Sequence, residues 1–183
     1  MFSGLGFAGS EELFDGRSLN GWRVDGAPYW SVEEGVLVGQ SDMAKKNSVL
    51  WTDQRFRNFS LSFEFRFSGD VDSGVFLRQE NDQIQIGVSR SLKRDMTGSP
   101  YIAHKRGYPK EAEEVDTLLN VGAWNEMRIV SDGNAYTVYL NGSRVVAYRS
   151  DSAIAEGPIG LQVHPGVMMR IEFRDLQITR LHN

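Results

Sequence analysis

The chain has no cysteine. Disulfides, thiol nucleophiles and thiolate metal sites are therefore excluded. Histidine is nearly as scarce. His104, His164 and His182 are the only three, and their wide spacing matches no metal-ligand pattern. No apolar run is long enough to cross a bilayer. Residues 1–10 lack the basic start and long apolar segment of a secretory signal, and read as a loose N-terminal tail ahead of one domain over 11–183. There is no excess of positive charge: 20 Lys and Arg stand against 24 Asp and Glu, for a net charge of −4. A phosphate-binding surface needs the opposite balance, which argues against nucleic acid as a partner. Helical periodicity and internal repeats are also missing.

Glycine, aromatics and alternation are plentiful instead. Phe59, Leu61, Phe63, Phe65 and Phe67 alternate with Ser60, Ser62, Glu64 and Arg66, which predicts a strand with one face in a core. Trp30–Val32 and Val36–Val38 flank Glu33-Glu34-Gly35 as a hairpin, and Ala135–Leu140 and Arg144–Tyr148 are joined by Asn141-Gly142, a strong hairpin signal. Ser48–Trp51 and Trp124–Val130 read as further strands. Ile159–Val163 and Val167–Phe173 read as a pair around His164-Pro165-Gly166, and Arg174–Leu181 as the last strand. About a dozen such strands predict an all-β fold of two antiparallel sheets packed face to face. The stretch 89–121 breaks the pattern. It mixes charge, Gly and Pro, and is expected to be a binding loop or lid with a short helical turn near Glu111–Thr117.

Two neighbouring strands carry unusual polar faces. In Asp72–Arg78, Val75 and Leu77 oppose Phe76 and Arg78; in the next, Ile84 and Ile86 oppose Gln83 and Gln85. Arg and Gln present planar, multi-donor groups suited to hydroxyls and carbonyls, although a merely solvated face remains the alternative. Trp30 and Trp124 read as core residues, and Tyr101 on the long loop as the better sugar platform. Loop carboxylates around Asp70 and Asp72 leave room for a calcium ion; no other metal or cofactor site is evident.

An ordered set of segments spans nearly the whole chain, from about Glu11 to Leu181. It runs Leu13-Phe14-Asp15-Gly16, Leu19-Asn20-Gly21-Trp22, Glu34-Gly35-Val36-Leu37-Val38-Gly39, Asp72-Ser73-Gly74-Val75-Phe76-Leu77-Arg78, Leu140-Asn141-Gly142, and Gly157 to His164 with Phe173-Arg174-Asp175-Leu176. Together these resemble the 3-keto-disaccharide hydrolase domain family. The resemblance implies a jelly-roll sandwich of the concanavalin A-like lectin and glucanase type with a long loop insertion. It also implies a bacterial, periplasmic or extracellular protein acting on a saccharide or oxidised glycoside. One segment departs from the family. Where members commonly carry Tyr-Glu-Val-Gln-Ile-Leu-Asp, this chain has Asp82-Gln83-Ile84-Gln85-Ile86-Gly87-Val88, so the Glu and Asp positions hold Gln83 and Val88. Gln cannot exchange a proton near neutral pH.

Strand parity places Glu64, Arg66, Arg78, Gln83, Gln85, Gln162 and His164 on polar faces, expected to coincide in one groove. Ordinary glycoside hydrolysis needs two carboxylates about the bond, and Glu64 is the one expected there. A ketone at carbon 3 lowers the demand, because it acidifies the adjacent C–H and permits elimination. His164 or Glu64 is then the expected base and Arg78 the carbonyl-polarising group. Arg66, Gln83, Gln85, Tyr101 and Gln162 are expected to contact substrate. The competing reading is a non-catalytic carbohydrate-binding module on the same sandwich, with an adhesion domain as a third option. Oligomeric state is not encoded in any pattern here.

Overall fold

The computed structural model describes residues 9–182. Most of the segment expected as a loose tail, residues 1–8, lies outside the described residues. The strands are β1 (Glu11–Glu12), β2 (Trp22–Gly26), β3 (Trp30–Glu33), β4 (Val36–Gln40), β5 (Ser48–Thr52), β6 (Phe59–Phe67) and β7 (Asp72–Leu77). They continue with β8 (Asp82–Gly87), β9 (Pro100–Ile102), β10 (Asn125–Asp132), β11 (Ala135–Leu140), β12 (Ser143–Arg149), β13 (Ile159–Val163) and β14 (Arg170–Arg180). Among the described residues the one α-helical turn is α1 (Val115–Leu118). No helix among the described residues is long and apolar enough to cross a membrane.

The strands form two antiparallel sheets. The larger runs β12-β11-β10-β6-β14-β4-β3, with β1 added to β14; the smaller runs β2-β5-β13-β7-β8-β9. Central strand β6 shows why they pack. Its Phe and Leu residues are buried at every second position while the residues between stay partly open. Phe63, Phe65 and Phe173 of the larger sheet share the core with Val75, Leu77, Ile84 and Leu161 of the smaller. Burying such side chains stabilises the fold by roughly 1.5–3 kcal/mol each, before chain entropy is counted. The predicted two-layer antiparallel sandwich is the architecture found.

Three local expectations need correction. β13 and β14 do not pair: β13 hydrogen-bonds to β5 and β7, and β14 to β4 and β6. The His164-Pro165-Gly166 turn therefore carries the chain from one sheet to the other. Arg174–Leu181 is not a separate strand either. It continues β14 through a bulge in which the register shifts between Arg174 and Gln177 and Asp175 adopts φ 52°. The extra residue flips the alternation, so that Phe173 and Leu176 both face the core. Finally, Trp124 is not a core residue. Its ring lies between the guanidinium groups of Arg66 (4.6 Å) and Arg174 (4.1 Å).

The aperiodic stretch after β8 is tied down by backbone hydrogen bonds. The Gln85 amide donates to Ser99, the Gly98 amide to Gln85, and the Met96 amide to Gly87, so the segment runs along the edge of β8. The Glu113 amide donates to Val145 on β12. Alternation is absent here because these bonds are made by loop backbone, whose side chains owe nothing to a pleat.

Candidate functional site

The outward face of the smaller sheet is built in rows. Register aligns Arg23, Trp51, Gly160, Phe76, Gln83 and Tyr101 across six strands. Two residues further along lie Val49 beside Gln162, and Gly74 beside Gln85. Beyond them the His164 amide donates to the Asp72 carbonyl at 3.3 Å. Because strand side chains alternate, all of these share the face turned away from the core.

Two glycines let larger neighbours lie flat. A Cβ at Gly74 would sit 2.5 Å from Gln83 Nε2, and one at Gly160 would sit 2.6 Å from the Trp51 ring. Gln83 therefore folds over Gly74 and donates from Nε2 to Gln162 Oε1 at 2.6 Å. Trp51 folds over Gly160 and stacks on Phe76, with ring centroids 5.4 Å apart.

Asp72 anchors the polar half. Its Oδ1 accepts from Gln85 Nε2 at 2.8 Å, and its Oδ2 from the Arg90 amide at 3.2 Å and Arg90 Nε at 3.3 Å. Arg90 also grips Asp70 through both terminal nitrogens. That hydrogen bond raises the Arg90 pKa against the opposing effect of burial, and it holds the Asp70 carboxyl below its usual value. The oxygens considered for calcium are thus engaged by the Arg90 guanidinium and, at Asp72 Oδ1, by the Gln85 amide. Among the described residues no group of three or more acidic or histidine side chains is placed to hold a metal.

His164 Nδ1 lies 2.7 Å from the Pro165 carbonyl oxygen. A carbonyl only accepts, so Nδ1 carries the hydrogen in the neutral ring and Nε2 keeps its lone pair. On the other flank Tyr101 and Tyr108 meet edge to face, with centroids 5.2 Å apart. Burial pushes the Tyr108 phenol up to about 12, while a hydrogen bond from Ser89 pulls the other way. These groups enclose a hollow of about 250 Å3, lined by Asp72, Phe76, Gln83, Gln85, Arg90 and Tyr101, with Tyr108, Gln162, His164, Glu80, Ser89 and Ser91 completing it.

The structure brings together Gln83, Gln85, Gln162 and His164, which sequence parity nominated, and Tyr101, nominated as a sugar platform on the long loop. It does not bring Glu64, Arg66 or Arg78 to them. Glu64 and Arg66 stand on β6, on the outer face of the other sheet, where Glu64 accepts from Arg174 and Arg66 donates to Glu172, each at 2.6 Å. Arg78 lies just past the end of β7 at φ 68°, so the alternation that predicted its direction has already ended. Its side chain is 2% exposed and donates to the carbonyls of Arg57, Ala155 and Gly133. Asp72, Phe76, Arg90 and Tyr108 join the hollow without having been nominated for it. Asp72 and Phe76 share the parity of Gly74 and were within reach of the same argument; Arg90 and Tyr108 sit in aperiodic loop, where no periodic signal exists.

No curated protein matches this sequence. Among solved structures, a candidate glycosyl hydrolase from Parabacteroides distasonis ATCC 8503 is similar with a TM-score of 0.73 at 24% identity, over 94% of this chain and 100% of that one. The carbohydrate-binding module CBM66 from Bacillus subtilis is similar with a TM-score of 0.61 at 17% identity, over 87% and 95% of the two chains. The exoplasmic/lumenal domain of VIP36, in a form with Ca2+ and Man3GlcNAc bound, reaches 0.69 at 9% identity, over 95% and 89%. At such identities the likeness establishes the sandwich fold and leaves the chemistry to the residues. The sequence profile that matches, over residues 9–179, is that of the 3-keto-alpha-glucoside-1,2-lyase-like domain. With nearly its whole length inside that match, the chain belongs to the family of 3-keto-alpha-glucoside-1,2-lyase-like domains.

Proposed function

We propose that the hollow binds a glycoside oxidised to the ketone at carbon 3 and breaks its glycosidic bond by elimination across C1 and C2. The observation that carries this reading is the donor set. An imidazole with a free Nε2 lone pair shares the hollow with amides, phenols and a guanidinium; of its two carboxylates, Asp72 is buried and already accepts hydrogen bonds at both oxygens, which leaves Glu80 alone. Displacement at an unoxidised sugar needs two free carboxylates flanking the bond. Elimination needs a base for the acidified C2 hydrogen and donors for the oxyanion that develops on the C3 oxygen.

His164 is the base in this scheme, through Nε2. Arg90, held at the hollow by Asp70 and Asp72, and the amide of Gln162, whose oxygen is already engaged by Gln83, supply N–H groups to the enolate oxygen. Gln83 and Gln85 position the ring hydroxyls. The role first expected of Arg78 thus passes to a residue that reaches the site. Loss of the glycosidic oxygen leaves a C1=C2 double bond, and water adding across it yields the free 3-keto sugar. The hollow, at about 250 Å3, falls below the ~300–1,000 Å3 that encloses a drug-sized ligand, which fits one oxidised ring with the leaving group outside.

The carbohydrate-binding reading draws on the same amide-rich lining, and one experiment separates the two. Turnover of a 3-keto-α-glucoside is measured beside its unoxidised parent, with wild type and His164→Ala. The lyase reading expects cleavage of the oxidised substrate alone, reduced by about 10²–10⁴-fold in the variant, the usual contribution of a general base. Saturable binding with no product from either substrate supports the module instead. Equal rates for wild type and variant remove His164 from the chemistry.

A further inference from the structure

We infer that Tyr108 is the acid of this reaction, its phenol hydroxyl delivering a proton to the departing glycosidic oxygen. The inference rests on the elimination reading above and supplies the proton that reading leaves unassigned. An alkoxide is a poor leaving group and must be protonated as the C1–O bond breaks.

The lining narrows the choice of donor. Amides and a guanidinium do not release protons near neutral pH. Asp72 already accepts at both oxygens. Glu80 stands exposed in the turn between β7 and β8. Serine hydroxyls are weaker acids than phenols, and Ser89 Oγ is engaged with Ser91 Oγ at 3.0 Å and the Leu92 amide at 3.3 Å. Two phenols remain. Ser89, in the same lining, acts to lower the Tyr108 pKa and so supports the phenolate that forms once its proton has gone. A phenol is protonated at neutral pH, and burial raises the pKa of this one to about 12. It is still a stronger acid than the departing alcohol, so proton transfer to the leaving alkoxide runs downhill.

Topology places the base and this acid on opposite flanks. The sheet runs β13-β7-β8-β9, so His164 stands at the β13 side and Tyr101, with Tyr108 against it, at the β9 side. Those outer strands are three spacings apart, roughly 14 Å between backbones. The hollow of about 250 Å3 that His164 and Tyr108 both line lies between these flanks. In an α-glucoside the C2 hydrogen and the C1 oxygen project from opposite ring faces. A base on one flank and an acid on the other therefore meet the two atoms that anti elimination removes.

The step balances within these groups. The C2–H bond breaks and its proton goes to His164 Nε2. The electron pair forms C1=C2 as the C1–O bond breaks, and the Tyr108 O–H proton passes to the leaving oxygen. The products are an alcohol and the unsaturated 2-hydroxy-3-ketone. Imidazolium and phenolate return to their resting states by proton exchange with water.

The test compares two 3-keto-α-glucosides, one carrying methanol and one carrying 4-nitrophenol as the leaving group. Nitrophenolate departs without an acid. Tyr108→Phe, which keeps the ring packed on Tyr101, is expected to lower kcat/KM for the methyl glycoside by about 10²–10³-fold and that for the nitrophenyl glycoside by less than about tenfold. Ser89→Ala is expected to show the same selectivity to a smaller degree, which keeps the test valid if the Phe variant folds poorly. Equal losses on both substrates, or no loss on the methyl glycoside, overturn the assignment. Selective loss in Tyr101→Phe instead gives the role to the other phenol and also overturns it. A wild type that turns over neither substrate refutes the elimination reading itself. Wild-type turnover that His164→Ala abolishes on both substrates leaves that reading standing whatever Tyr108 does.

Discussion

Replacing Arg78 by Met separates a structural arginine from a catalytic one. The side chain is 2% exposed and donates to the Arg57 carbonyl at 3.1 Å, the Gly133 carbonyl at 2.6 Å and, more weakly, the Ala155 carbonyl at 3.5 Å. Its guanidinium also stands over the Tyr136 ring at 5.8 Å. Met fills much of the volume and donates nothing. Each buried carbonyl left without a partner costs about 1–3 kcal/mol. Removing a buried charge returns part of that, and here Arg78 Nε has no hydrogen-bond partner. The net is about 3 kcal/mol for the two good bonds, or roughly 6–12 °C in Tm for a domain of this size. Thermal melts followed by near-UV circular dichroism read the shift, and kcat/KM measured well below the melt reads the chemistry. The expected result is a lowered Tm with kcat/KM within about threefold of wild type. An unchanged Tm with a hundredfold loss of turnover would refute the placement of Arg78 outside the site.

Other perturbations address the groove and the charged outer face. Gly74→Ala pushes a methyl group into Gln83, 2.5 Å away, and into the Ile84 carbonyl at 2.7 Å. KM for an oxidised glucoside should rise at least tenfold with the fold retained, and an unchanged KM would show that Gln83 need not lie flat. Glu64→Gln weakens a half-exposed ion pair with Arg174 within the larger sheet, which does not form the hollow. It should cost under about 1 kcal/mol by urea denaturation and leave turnover alone; a catalytic defect would contradict the sheet assignment. Acid should weaken the fold through carboxylates held below their usual pKa. Glu33 and Asp70 are lowered by hydrogen bonds from Arg170 and Arg90, and in Glu172 hydrogen bonds from Arg66 and Arg170 outweigh the upward push of burial. Their stabilisation is complete above the unfolded carboxylate pKa of about 4 and is lost as pH falls through the lower folded values. The urea midpoint should therefore hold from pH 7 to about 5 and drop below about 4. A midpoint that falls mainly between pH 7 and 5 would place the titrating groups elsewhere.

Alternation told which side chains face out, but not from which sheet. Glu64 and Arg66 do point away from the core, as the phenylalanine ladder of β6 requires, yet β6 lies in the sheet that does not form the hollow. Gln83, Gln85, Gln162 and His164 obeyed the same rule and met, because β7, β8 and β13 are neighbours. Arg78 failed for a different reason: one left-handed residue at a strand end redirects everything after it, and no side-chain pattern announces that in advance. The crossing at His164-Pro165-Gly166 is similar, since a turn between two apolar strands looks alike whether the strands pair or change sheets. Arg90 and Tyr108 reach the site through loop backbone bonded along β8, a placement governed by tertiary hydrogen bonds and not by period.

The central claim is that bond cleavage begins with removal of the C2 hydrogen. A 3-keto-α-glucoside deuterated at C2 can be turned over in ordinary water and the sugar product weighed by mass spectrometry, with an enzyme-free control subtracted for spontaneous exchange. The account predicts that every cleavage releases the deuteron to solvent. Product that keeps deuterium at C2 would contradict it, because displacement at C1 never touches that bond.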